Sequence, residues 1–490
     1  MQTTCSRISK WKCYKNLVTL SVGWILLYSS FTSIKDLSSS FHHQDGIGLI
    51  GMATFYFGYM MACIFAGRTV RLFDAKVSIS CTSLCQIPFL ISNASPKFYV
   101  LLPLSFLGGF TQSILWTASG SYLVWISQTM STNQRNNVNK VFSIFSLVVS
   151  CSPILGGMST VLAFSLYGKD RQHFQKQIKQ INTTFENDIS KTLIFKSKSS
   201  DNLTDTEVCG PGVCFFENNI PNLALPRAKL YIILGFYTGC MLAASAMFLF
   251  VMDRYIPEKD EPIKYKICIS VTNITKILYS TTFVKVFPLL FHYGFQMAFM
   301  SGSFFKEYVG CRYGIEKIGY FLSVFGFSSA FSSGLSGFIH TGTGREYVFM
   351  FACLAEVVAV AGMLMWNYFS SYMTYTIGLC SLWGLAHGIW QTHLNGYIGE
   401  SFPLTSEFAF SSLNLILSLG LITGYSSSNY ICMRTKLYVT GGMCIISSCF
   451  FLIMSKIARQ KCAINKNFKR VSKMKELDIF VFSNVSSRLE

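Results

Sequence analysis

Apolar runs of 18 or more residues follow one another along this sequence, and that limits the fold more than anything else in it. A run of that length reads as a bilayer span. In lipid every backbone amide must bond within its own segment, so such runs form helices. Of the 490 residues, 51% are hydrophobic and only 13% charged, against roughly 25% charged in ordinary globular domains. The expectation is an all-α integral membrane protein whose first partner is the lipid bilayer.

Charge and cysteine usage exclude other classes. The net charge of +18 could suggest a nucleic-acid binder, but Lys and Arg collect in loops and in the tail, where they hold cytoplasmic segments inside. No nucleic-acid partner is expected. Most of the 17 cysteines fall within apolar runs, where Cys behaves as a small hydrophobe. No nucleophile elbow, phosphate loop or His/Glu metal spacing is present. No enzyme activity, cofactor or metal is expected.

The chain divides as follows. Residues 1–16 carry Arg7, Lys10, Lys12 and Lys15 and no acid, so they stay cytoplasmic. Spans 1 to 5 occupy 17–166. A polar segment, 167–229, falls outside and holds two glycosylation sequons, at Asn182 and Asn202. On that oxidising face Cys209 and Cys214 can pair with each other, or one can reach Cys311 in the outer loop expected after span 7. Span 6 is 230–252. A cytoplasmic inter-bundle loop, 253–283, precedes spans 7 to 12 at 284–457. The basic tail, 458–490, reads as cytoplasmic and mostly disordered.

The halves repeat. Gly23, Ser30, Thr32, Lys35 and Asp36 are matched 271 positions later by Gly294, Ser301, Ser303, Lys306 and Glu307. Past the next loop, Gly46 and Gly58 are matched at 268 by Gly314 and Gly326, and Trp116 at 274 by Trp390. Twelve spans, a central loop and a parallel repeat are the 6+6 architecture of the major facilitator superfamily. In that architecture spans 1, 4, 7 and 10 line a central cavity. Polar residues fall on single helix faces there: Gln112, Trp116 and Ser119 in span 4, His292 and Gln296 in span 7, and His387, Trp390, Gln391 and Asn395 in span 10. They line a polar cavity, or they hydrogen-bond neighbouring helices. Glu356, in the middle of span 9, is a coupling site or a neutral hydrogen-bonded carboxyl. The loop Gly67–Lys76 stands where facilitator transporters carry a Gly-x-x-x-Asp gating motif. Gly67 fits, but Arg71 replaces the Asp.

Four blocks resemble the uncoordinated-93 (Unc-93) family, a divergent facilitator branch, nearest its homolog A-like members. They are YKNLVTLSVGWILLYSSFTSIKDLSSS (Tyr14–Ser40), LLPLSFLGGFTQSILWTASGSYL (Leu101–Leu123), GFQMAFMSGSFFKEYVGCRYGIEKIGY from Gly294, and GLAHGIWQTHLNGYIG from Gly384 with the EFAFSSLNLILSLG and KLYVTGG that follow. The resemblance implies a regulatory or chaperone-like partner of another membrane protein, first among them a potassium channel subunit. The alternative is a secondary transporter of a small solute. His387 stands where that family's span 10 block carries an Asp. The plasma membrane is the default location, an endosomal or lysosomal membrane the alternative.

Overall fold

The computed structural model describes residues 10–41, 47–94, 97–130, 134–162, 209–214, 227–254, 267–314, 317–366, 372–428 and 430–486. Regular structure among them is helical throughout. Six long helices form the first half: α1 (Lys10–Phe41), α2 (Ile47–Phe73), α3 (Ala75–Ser92), α4 (Phe98–Met130), α5 (Asn137–Leu162) and α6 (Arg227–Phe250). A short helix, Ile267–Leu278, leads into the second half. There follow α7 (Thr281–Tyr313), α8 (Ile318–Thr343), α9 (Arg345–Leu364), α10 (Met373–Ser401), α11 (Ser406–Ser427) and α12 (Met433–Ser486).

Eleven of these helices are long and apolar enough to cross a membrane; α10 is not among them. Its 29 residues span about 43 Å, enough for a bilayer. What it lacks is apolarity, because His387, Gln391, His393 and Asn395 lie along it. The expected count of twelve therefore includes one helix that does not read as a span by composition. It is shielded by protein instead, packed against α5, α8 and α9.

The repeat extends to close backbone contacts. A Cβ on Gly109 of α4 would meet the Phe55 carbonyl of α2 at 1.7 Å, and one on Gly388 of α10 would meet the Ser329 carbonyl of α8 at 2.2 Å. These are equivalent helix pairs of the two halves, and each needs a residue without a side chain where backbones cross. The junctions repeat as well. Gly344 between α8 and α9 takes φ 84°, ψ 150°, and Asp74 between α2 and α3 takes φ 75°, ψ 146°. That region is essentially reserved for glycine, and the first half fills it with an aspartate.

Two expectations change. Lys306 and Glu307, expected in an outer loop, lie inside α7. There Met300–Gly310 winds as a π-helix, with Lys306 buried and Glu307 largely so. The helix runs on through Gly302 and Gly310 and ends only at Gly314, whose φ is 89°. Lys436 of α12 supplies the buried partner, 3.5 Å from Glu307 and 3.1 Å from Ser303 Oγ. The tail was expected to be mostly disordered, yet the α12 backbone remains helical to Ser486. Residues 443–486 contain neither Gly nor Pro, so nothing in them stops a helix. Asn182 and Asn202 lie outside the described residues.

Of the cysteine pairings left open, the structure bonds Cys209 to Cys311 and leaves Cys214 exposed as a free thiol. The bond ties the 209–214 segment to the end of α7. Gly210 lies against Trp366, and Val213 accepts a backbone hydrogen bond from Met433. The cross-link closes a loop of sequence separation 102, for which chain entropy predicts about 4–5 kcal/mol of stabilisation. Cys311→Ser should therefore lower the thermal midpoint in detergent, and a non-reducing digest of the wild type should yield the Cys209–Cys311 peptide pair. Asp74→Gly should raise the midpoint by relieving about 1–3 kcal/mol of backbone strain. An unchanged or lower midpoint would show that the Asp74 carboxylate contributes more than the strain it imposes.

Candidate functional site

The two halves meet around a cavity enclosing about 760 Å³ of space, part of it open to solvent. Gln112 and Trp116 of α4 and His387, Gln391 and Asn395 of α10 line it, five of the nine residues expected there. Tyr28 of α1, Tyr56 and Tyr59 of α2, Tyr293 of α7 and Asn414 of α11 complete an aromatic and amide wall. Trp116 packs against Trp24 with ring centroids 4.2 Å apart and planes tilted by 44°, and the His387 ring lies 5.4 Å from Tyr293 and 5.1 Å from Phe325. Ser329 donates to Ser150 Oγ, which donates in turn to Gln391 Oε1, so α8, α5 and α10 are linked across the two halves. Asn414 likewise donates to Thr117 Oγ1 of α4. The Gln112 amide has neither a donor nor an acceptor partner. No Asp, Glu, Lys or Arg is among the described lining residues.

Ser119, His292, Gln296 and Trp390 do not line the cavity. Successive residues on a helix are turned by about 100°. Tyr293 and Met297 of α7 face the cavity, so His292 and Gln296, one position earlier, face into the second bundle. Ser119 accepts a hydrogen bond from Trp24 Nε1 at 3.0 Å inside the first bundle. Gln296 is fully buried, with its amide unpartnered.

His292 meets the intramembrane acid. Its Nε2 lies 3.0 Å from Glu356 Oε1 and 3.2 Å from Oε2, and Trp390 Nε1 donates to Oε2 at 3.0 Å. All three side chains are buried, so α7, α9 and α10 are joined through one carboxyl. The Cys444 thiol of α12 adjoins this group, its sulfur within 4.8 Å of donor atoms of His292 and Glu356.

At the end of the molecule that holds the α1 N-terminus, direct contacts close the two halves together. Asn139 of α5 donates to Glu400 of α10, and Arg345 of α9 binds both, at 2.9 Å to Asn139 Oδ1 and 3.0 Å to Glu400. Gln128 donates to the Pro403 carbonyl, and Gly67 packs against the Glu407 backbone. Gly67 of the altered gating motif thus serves close packing, while the polar clasp is built from other residues.

Residues 41–452 match the family described as ion channel regulatory protein UNC-93. The chain belongs to the UNC-93 family. It is 27% identical over 440 residues to protein unc-93 homolog A of Bos taurus, covering 88% of this chain and 90% of that one. It is 23% identical over 459 residues to the putative potassium channel regulatory protein unc-93 of Caenorhabditis elegans, covering 90% of this chain and 61% of the relative. Its fold is similar to the fucose:proton symporter FucP of E. coli, with a TM-score of 0.56 at 11% identity over 89% of this chain and 98% of that one. The major facilitator fold assigned from the repeat stands on that likeness.

In this UNC-93 chain the tyrosines of the cavity were missed because tyrosine in an apolar run reads equally well as a membrane-interface residue. The spacing of Tyr56 and Tyr59, three apart on one face of α2, was the available signal. Glu356→Ala should strand the Trp390 indole N–H and His292 in the bundle and destabilise by about 3–5 kcal/mol, the usual penalty for breaking a buried pair. Glu356→Gln keeps an acceptor for Trp390 and should lose less than half as much. Thermal midpoints of both variants in detergent check the order.

Proposed function

We propose that this integral membrane protein acts as a regulatory or chaperone-like partner of another membrane protein, with a potassium channel subunit first among the candidates and the plasma membrane as the site of action. The observation that carries the reading is membership of a family described as ion channel regulatory, matched over most of the chain. The name of the C. elegans relative supplies the potassium channel. Two features of the site agree with it. The cavity is lined without a carboxylate, whereas carriers driven by protons or sodium ions rely on ionisable groups along the pathway. Arg71 also stands where transporters place the gating aspartate.

A second reading keeps the facilitator's own activity. The cavity offers stacking surfaces, an imidazole and a free Gln112 amide, a set suited to a neutral, partly aromatic solute. Such a solute would move by facilitated diffusion, since no carboxylate among the described lining residues couples it to an ion.

Cross-linking and affinity capture from native membranes should co-purify a channel subunit, and His387→Ala with Gln112→Ala should leave that capture unchanged. Saturable solute uptake by the purified protein alone in liposomes, abolished by the same two substitutions, would replace the regulatory reading with the transport one.

A further inference from the structure

Three potential metal ligands from three helices converge at one point inside the second bundle. His292 Nε2, the Glu356 carboxylate and Cys444 Sγ lie within 4.8 Å of one another, all buried. Cys353 stands beside them, its thiol donating to the Cys444 carbonyl oxygen at 3.8 Å. Cys353 and Glu356 are three apart on α9, so they share a helix face. We propose that this cluster is a structural binding site for a thiophilic divalent cation of the zinc type.

The donor set fits that ion. One imidazole, one carboxylate and one thiolate are donors that zinc takes in a tetrahedral site. Around such an ion the ligand atoms sit roughly 3.3–3.8 Å apart, so a modest inward movement of these three side chains brings them into range. Charge fits as well. A divalent cation held by the Glu356 carboxylate, a Cys444 thiolate and neutral His292 is neutral overall, the state least costly at membrane depth. Binding transfers the Cys444 thiol proton to solvent, and no oxidation is involved. The protein alone leaves a polar atom unsatisfied, since His292 Nδ1 has no hydrogen-bond partner. Trp390 Nε1 holds Glu356 Oε2, the kind of outer contact that orients a ligating carboxylate. The site would fasten α7, α9 and α12 together away from the cavity, so it serves the architecture of the bundle under either functional reading.

The test uses full-length protein expressed with added zinc and purified in detergent. Mass spectrometry of metals should find about one zinc per chain, falling below about one tenth in Cys444→Ser and Glu356→Gln. The exposed thiol is the control: Cys214→Ser should keep its zinc. Trp390→Phe should retain the ion with about 10–100-fold weaker affinity in chelator competition. Because ligand variants can misfold, the wild type and Cys214→Ser are also loaded with Co²⁺, where a thiolate-to-cobalt charge-transfer band should appear and vanish when Zn²⁺ is added. Wild-type protein with neither zinc nor the cobalt band would overturn the proposal. So would zinc that survives Cys444→Ser and disappears with Cys214→Ser.

Discussion

The bilayer's lack of water is the constraint on which the rest of this structure depends. A polar group at membrane depth must find its partner within the protein. The second half meets this requirement at three points. Glu356 is held by His292 and Trp390, Glu307 by Lys436, and Glu400 by Arg345 and Asn139. Each joins residues more than 30 positions apart, so each one fixes helix against helix. The polar residues that look costly in a list of spans are the ones that set the rotation of α7, α9 and α10.

The same requirement explains why the two halves have diverged unequally from a common plan. Backbone crossings leave no room for variation, and glycines remain at Gly109 and Gly388. The junctions have more freedom. A glycine occupies the positive-φ position at Gly344, whereas the first half carries Asp74 there, beside the altered gating motif. At that end of the molecule the halves are joined by Arg345, Asn139 and Glu400 at the ends of α9, α5 and α10.

Eleven of the spans were legible because length and apolarity define them. α10 is long enough as well, but its polarity hides it from a composition test, and only its place in the repeat points to it. Which polar residue faces which neighbour was not legible. A helix turned by a single residue moves His292 from the cavity to Glu356, and no pattern within α7 records that turn. Lys306 and Glu307 looked like a loop because a charged pair normally is one, and Lys436, the partner of Glu307, lies more than 120 positions away. The cluster of His292, Glu356 and Cys444 is invisible for the same reason, since its members come from three helices at no recognisable spacing.

The contrast between the two polar centres bears on what the fold is used for. Transport in a facilitator needs a cavity whose polar groups change partners as the halves rock. Here the cavity wall is cross-linked through Ser329, Ser150 and Gln391 and through Asn414 and Thr117, and the paired carboxyls Glu356 and Glu307 lie inside one bundle, where each joins helix to helix. A chain built this way keeps the facilitator scaffold while placing its charged groups where they hold a single arrangement. That distribution suits a protein whose outer faces are read by a partner, because a stable surface is what such a partner recognises.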